Sequence, residues 1–440
     1  MVIGSRNIWL RNSKSDESDT DSMTNTSATS LPSAFDRWRI VFLLMGYTAL
    51  AHFNREGLAV AGSEVFIKKL GISEVEMGWV YTSFGIVYTT GMLPGGWLVD
   101  RFGSARVLTW LGLTMGTVVA LTGSLIWLSN IPASLFLGLL LLRGLTGACS
   151  APLHPGAAHV ASDLMPGRHR ATANGMRTAG ALIGIAFSYP IFGWLMDTLG
   201  WPWAFVASGA ALIAFGVLWK SVASPSLPAP QPSATAVTAK TDSRAEWLLL
   251  RDCGLWLLSL SYAAYSYLQY LFFYWLDYYF KAVLQVSDAD SRRASFYIFL
   301  AMGAGMAIGG ISTGFMCKLF GTNRGRRCIV MTGLILGALF ARLGVTMDDY
   351  FSVSVCLAMS MGLLGMCEGV FWTTATDIGG EARGFAGAFL NTIGNIGGFI
   401  APVLTPIMAQ SMGWPNAITV ACVIAGLGGL MWFWINPPPT

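Results

Sequence analysis

Residues 132–162 read PASLFLGLLLLRGLTGACSAPLHPGAAHVAS. A helix needs about 20 mostly apolar residues to cross a bilayer, and this run is long enough, yet it carries Arg143 in its first half. A cation at that depth is costly unless it faces a watery cavity or a partner. Ser150 and His154 lie seven and eleven positions further on, steps that return to the Arg143 face of a helix. The spacing predicts one continuous helix showing a cation, a hydroxyl and an imidazole in a row.

The rest of the chain reads as housing for that face. Of its 440 residues, 54% are hydrophobic and only 11% charged, with 51 glycines and 17 tryptophans. Soluble globular domains do not have this balance, so the chain reads as an all-α polytopic membrane protein with the lipid bilayer as its solvent. A net charge of +4, spread thinly, leaves no footprint for nucleic acid. Seven cysteines stand singly in or beside apolar runs and read as small packing residues.

Twelve apolar segments follow the polar tail: 38–61, 78–99, 106–128, 132–162, 171–196, 201–222, 253–280, 295–317, 327–346, 351–377, 384–410 and 414–436. Residues 1–36, rich in Ser, Thr, Asp and Asn, read as a disordered cytoplasmic tail. A Pro/Ser/Ala-rich stretch makes 223–250 a cytoplasmic linker and divides the chain into two six-helix bundles, 37–222 and 251–437. Lys and Arg collect in alternate loops, from Arg37 and Arg101 to Arg326 and Arg383. That bias puts both termini and the linker in the cytoplasm.

Internal repetition supports the division. GWLVDRFG at Gly96–Gly103 returns, weakened, as GFMCKLFG at Gly314–Gly321, 218 positions later. Gly147, Cys149 and Ser150 align with Gly365, Cys367 and Glu368 at the same offset. Arg170, Gly184 and Gly200-Trp201-Pro202 align with Arg383, Gly397 and Gly413-Trp414-Pro415, displaced by 213. Parallel repeats of six helices imply a site between the halves and rocking of one half on the other.

The run GWLVDRFGSAR, Gly96 to Arg106, resembles the signature loop between helices 2 and 3 of the major facilitator superfamily. Here Gly96 is expected to allow close helix contact, and Gly103 to belong with it to the gate. Asp100 is expected to cap or pair at a helix end, and Arg101 and Arg106 to hold a cytoplasmic gate. Within that superfamily, HFNREGLAVAG, YLFFYWLDYYF, FWTTATDIGGEARG, NTIGNIGGFIAP and PIFGWLMDTLGWPWAF are similar to the anion:cation symporters, which include sugar-acid permeases, sialin and vesicular glutamate transporters. The resemblance covers nearly everything after residue 37.

That resemblance implies that Arg55 and Arg143 meet a substrate carboxylate. A guanidinium offers a carboxylate two parallel hydrogen bonds and keeps its charge. The alternative, that each arginine pairs with a membrane carboxylate such as Glu56 or Glu368, stays open. Tyr88, Gln269, Asn391 (with Asn395 one turn on) and Trp372 are further cavity candidates, set against the plainer reading of interhelical hydrogen bonds. His52, one turn before Arg55, is a weaker candidate.

Proton-coupled members of the family have an acid just before the first arginine and another seven residues after the second. This chain has Asn54 and Ser150 there. Glu368, at the repeat-equivalent of Ser150, is the expected coupling site, with His154 second because imidazole titrates in the physiological range. The expected function is a monomeric secondary transporter of a small organic anion, a sugar acid or carboxylate, working by alternating access with a proton or sodium as coupling cation, in a bacterial inner membrane. An uncoupled facilitator, an efflux transporter of another solute and a non-transporting sensor on the same fold remain as alternatives. No enzyme chemistry, cofactor, metal-ligand spacing or phosphate-cradling loop is evident in the sequence.

Overall fold

The computed structural model describes residues 33–223, 225, 227, 247 and 249–435. The tail and the linker read from the sequence fall almost entirely outside them. Among the described residues all regular structure is helical. The first bundle contains α1 (Ala34–Ala61), α2 (Glu74–Phe102), α3 (Ser104–Thr122), α4 (Pro132–Ser150), α5 (Leu153–Leu164), α6 (Gly167–Phe187), α7 (Gly193–Leu199) and α8 (Trp201–Val222). The second contains α9 (Cys253–Tyr278), α10 (Asp288–Phe320), α11 (Thr322–Gly344), α12 (Tyr350–Gly379), α13 (Arg383–Met412) and α14 (Trp414–Leu430). The pairs α4–α5 and α6–α7 each form one span, which gives two bundles of six.

Side-chain placement follows the solvent expected for each face. Leu137, Leu141 and Leu145 of α4 recur every four residues and are exposed on the outside, where lipid would cover them. Leu135, Leu139, Arg143 and Ser150 are buried on the inner face. By length and hydropathy alone, nine helical stretches among the described residues can cross a membrane; α1, α2 and α9 fall outside that criterion.

Several expected boundaries change. Ser33 accepts a hydrogen bond from the Asp36 amide and starts α1 at Ala34, inside the expected tail. The eighth span begins at Asp288, not 295, because Arg292 is buried against carboxylates and is no obstacle to the helix. The fourth span is not continuous: α4 ends at Ser150 and α5 starts at Leu153. Pro152 has no N–H to donate, so the hydrogen-bond ladder stops there. The expected row of Arg143, Ser150 and His154 along one helix is therefore wrong in its premise.

The repeat is written into the turns. Gly103 and Gly321, 218 apart, have φ +83 and +83, while Gly200 and Gly413, 213 apart, have +80 and +81. A side chain at such angles is strained, so glycine fixes all four turns. Helix contacts repeat too. A Cβ on Gly147 would meet the Phe84 carbonyl at 2.5 Å, and one on Gly365 would meet the Met302 carbonyl at 2.3 Å; both members of this second pair lie 218 positions beyond the first.

The bundles touch through α2 on α13 and through α6 on α10. Gly78 and Gly85 bring α2 against Pro402 and Phe399, and Thr82 Oγ1 donates to the Phe399 carbonyl at 2.8 Å. These contacts lie towards the end that carries Gly200 and Gly413. Towards the Gly103 end, Met92 still reaches Asn391, but Leu93 is 85% exposed.

The signature loop departs from expectation at one residue. A Cβ on Gly96 would meet nothing within 4 Å, whereas one on Gly95 would come within 3.0 Å of Pro152 N. Gly95 therefore provides the close approach, since one residue turns the helix face by about 100°. Asp100 pairs with His159 Nε2 at 3.4 Å. Arg101 lies over Trp97, 5.0 Å from the ring centroid, and Arg106 is exposed. Of the cysteines, Cys367 and Cys422 are buried but Cys253 and Cys328 are exposed, so the packing role does not extend to those two.

Candidate functional site

The two intramembrane arginines come together through a ring that sequence reasoning overlooked. Phe84 of α2 is held against α4 by the Gly147 contact. The Arg55 guanidinium lies 4.7 Å from the Phe84 centroid and that of Arg143 4.6 Å. Arg143 Nη1 donates to the Arg55 carbonyl at 2.8 Å, which fixes α4 on α1. Arg55 Nη2 reaches across to the Tyr274 hydroxyl of α9 at 3.4 Å, and its guanidinium lies 5.6 Å from the Tyr270 centroid. Span 1 of one bundle thus meets span 7 of the other at Arg55.

Donors are left over. Arg55 Nε, Arg143 Nε and Arg143 Nη2 are buried without a hydrogen-bond partner. Arg143 is only 4% exposed. Buried polar groups are ordinarily satisfied, so an arginine pair with free donors is chemically incomplete. Two clefts open onto it. One, with room for a water molecule or two, is lined by His52, Arg55, Phe84, Tyr88, Ser150 and His154. Another, about the size of one water, is lined by Asn54, Leu58, Arg143, Thr146 and Phe205. The broken fourth span separates the expected row: Arg143 faces the second cleft, Ser150 and His154 the first.

His154 Nδ1 lies in hydrogen-bond contact with Arg177, a residue the sequence reading passed over. A guanidinium only donates, so Nδ1 accepts. The His52 ring stands edge-on to His154 at 5.8 Å, and Tyr88 edge-on at 6.3 Å. Tyr88, His52, Ser150 and His154 therefore share one space with Arg55.

The remaining sequence candidates lie elsewhere. Glu368 Oε1 accepts from the Tyr262 hydroxyl at 2.9 Å and from Trp372 Nε1 at 3.0 Å, so Glu368 and Trp372 occupy each other, while Glu368 Oε2 is buried without a hydrogen bond. Gln269 Nε2 contacts Met302 Sδ at 3.8 Å within the second bundle. Asn391 Nδ2 lies 3.7 Å from Met92 Sδ, between the bundles.

A second buried charge cluster lies at the joined end. Arg292 of α10 donates to both oxygens of Glu64, with Nε at 2.7 Å from Oε1, and to both of Asp197, with Nη2 at 3.0 Å from Oδ1. Lys281 bridges Glu64 and Asp277, the latter at 2.6 Å. Ser63 and Ser291 donate to Asp277, Ser291 at 2.6 Å. Tyr278 donates to Glu74. Glu64 and Lys281 both sit on π-helical turns, Gly62–Ile67 and Tyr279–Val283, at the corresponding ends of spans 1 and 7.

The model of the Major Facilitator Superfamily matches residues 43–381 and 325–440. The chain belongs to that superfamily. Its curated relatives include the probable galactarate/D-glucarate transporter GudP of Bacillus subtilis (strain 168), 27% identical, covering 87% of this chain and 88% of that one. They also include the D-galactonate transporter of Escherichia coli O6:H1, 24% identical over 90% and 94% of the two chains. A third is the probable sulfoacetate transporter SauU of Cupriavidus necator, 25% identical over 88% and 91%. Among solved structures, an inward-facing, unoccupied bacterial homolog of the human lysosomal transporter Spinster superposes with a TM-score of 0.74 at 16% identity, over 92% of this chain and 98% of that one.

Superfamily membership makes this protein a multi-pass transporter rather than an enzyme. What sequence reasoning missed were partners: Phe84, Tyr270 and Tyr274 around Arg55, Arg177 on His154, and the whole Glu64–Lys281–Arg292 cluster. The signals were present as tyrosines four apart in YLFFYWLDYYF and as charges flanking spans 1, 7 and 8, but pairing charges across 228 residues takes a tertiary structure.

Proposed function

We propose that this major facilitator moves a small organic anion, a sugar acid or small carboxylate, by alternating access, with Arg55 and Arg143 gripping the carboxylate. The observation that carries the reading is the set of buried guanidinium donors left without a hydrogen bond beside the clefts, Arg143 Nε and Nη2 above all. A carboxylate accepting from them would satisfy donors that the protein itself leaves open. Tyr88, His52, Ser150 and Asn54 line the adjoining space and can meet hydroxyls of the same ligand. The relatives named as galactarate, galactonate and sulfoacetate transporters support an acidic cargo.

Alternating access requires the joined end to part. The Glu64–Lys281–Arg292 cluster closes that end, and the positive-inside loops make the other end, beside Gly103, the cytoplasmic one. The protein would then sit in a bacterial inner membrane as a monomer, open to the cytoplasm, driven by a cation gradient. Gln269, Asn391 and Trp372 would come into play from the second bundle as it rocks.

Reconstitution tests this. Vesicles loaded with purified protein should take up D-galactonate, D-glucarate or sulfoacetate saturably, and Arg143→Gln should abolish it. Transport confined to neutral or cationic solutes, with all three anions inert, would refute the reading.

A further inference from the structure

One buried acid is left unused by the anion-binding reading. Glu56 follows Arg55 in α1, its side chain is 0% exposed, and neither carboxylate oxygen has a hydrogen-bond partner. Its nearest cation is Arg55, with Nε 3.6 Å from Oε1, and Arg143 also acts on it electrostatically. Tyr81 of α2, Tyr189 of the π-helical turn between α6 and α7, and Tyr270 of α9 also interact with it, and Tyr274 of α9 stands on Arg55 beside it. His52 and His154, with Arg177, lie on the Arg55 side of the same space.

The charges can be counted. Two guanidiniums and one carboxylate leave the Arg55–Arg143–Glu56 group at +1, with Arg177 a further cation on the His154 side that is the same in every state considered. Adding a substrate carboxylate while Glu56 stays ionised would place two anions on the same two cations, and like charges so close in a low dielectric repel strongly. Adding a proton together with the substrate carboxylate keeps that group at +1. Arg55 and Arg143 then exchange one carboxylate for another, and no charge is created or lost in the buried space.

We propose that Glu56 is the proton-binding site of this transporter, an internal carboxylate paired with Arg55 beside Arg143 while the site is empty and protonated as substrate replaces it. The inference rests on the anion-binding reading above. In the step, a hydronium ion gives its proton to a Glu56 oxygen and leaves as water, forming one O–H bond and breaking one. On the far side of the membrane the substrate departs, the proton returns to water, and the carboxylate pairs with Arg55 again. One proton accompanies each carboxylate bound by the pair. Because binding linkage is reciprocal, a proton that tightens substrate binding is itself held more tightly by the substrate. Substrate binding therefore strengthens as pH falls.

The test uses the full chain in proteoliposomes, with D-galactonate as probe. For the wild type, an inwardly acidic-to-neutral gradient of one pH unit should drive accumulation of about tenfold at one proton per monoanion. Glu56→Gln keeps the side-chain shape in a permanently neutral form. It should still exchange labelled for unlabelled D-galactonate across the membrane, lose gradient-driven accumulation, and show a half-saturation constant that no longer varies with pH. Glu56→Asp, which restores an acid, should recover accumulation, and it keeps the inference testable if the amide variant is unstable. Gradient-driven accumulation persisting in Glu56→Gln overturns the inference and leaves the anion reading intact. A wild type that neither binds nor moves D-galactonate, D-glucarate or sulfoacetate at any pH overturns both.

Discussion

Two buried charge clusters join spans 1 and 7, and they are built on opposite principles. At the Glu64 cluster every charge has an opposite partner: Arg292 forks onto two carboxylates, and Lys281 bridges Glu64 Oε1, which Arg292 also reaches, to Asp277. At the Arg55 cluster, three guanidinium nitrogens and both Glu56 oxygens lack a hydrogen bond, although Arg55 Nε stands 3.6 Å from Glu56 Oε1 as an ion pair. Completed networks hold elements in place, while incomplete ones cost free energy until something binds. The contrast separates a cluster completed within the protein from one that is not, although the sequence shows only isolated charges in apolar runs at both.

The comparison breaks most severely at Arg292. Arg292→Gln leaves Glu64 buried with a partner lost, and removing one member of such a pair costs about 3–5 kcal/mol. The melting temperature should fall, and distances between spin labels on the two bundles near Thr198 and Thr346 should lengthen. Replacing the group together, with Arg292→Met, Glu64→Leu and Asp197→Ala, should recover much of the loss, because no orphaned charge remains. If the single variant melts like the wild type, the cluster is not a joint.

At the other cluster, Arg143→Gln should weaken anion binding by about 2–5 kcal/mol, with a smaller effect on melting temperature, since of its guanidinium nitrogens Nη1 is hydrogen-bonded within the protein, to the Arg55 carbonyl, while Nε and Nη2 are not. Isothermal calorimetry with D-glucarate reads this directly. Arg143→Lys should lose most of the same affinity, because an ammonium cannot supply a planar fork.

Gly78→Ala sharpens the contrast sterically. A Cβ there would stand 2.2 Å from the Pro402 carbonyl across the bundle interface. The added methyl should destabilise the joined end by about 1–3 kcal/mol without touching the arginines, seen as longer inter-bundle distances at unchanged affinity.

Glu368→Gln should do least. An amide oxygen still accepts from Tyr262 and Trp372, so proton-driven uptake should persist and stability should change by under about 1 kcal/mol. Loss of pH-driven uptake in this variant would move the coupling site from Glu56 to the second bundle.

How far the chain could be read before folding differs by scale. Span positions were legible to within a few residues because burial in lipid demands a length and a composition, and both are local. Repeat glycines were legible because a positive φ admits little else, as Gly103, Gly200, Gly321 and Gly413 show. The break at Pro152 was legible in principle, since the residue itself forbids the hydrogen bond. Gly96 was chosen over Gly95 because a motif names residue types but not which side of the helix meets a neighbour.

The sequence by itself determined the architecture: twelve lipid-length helices, duplicated, with arginines where lipid tolerates none unless they are used. Only the tertiary structure decided which charges meet. It drew Glu64 to Arg292 and left Glu56 alone beside Arg55, because Coulomb attraction and hydrogen bonding act over a few ångströms of space and take no account of distance along the chain.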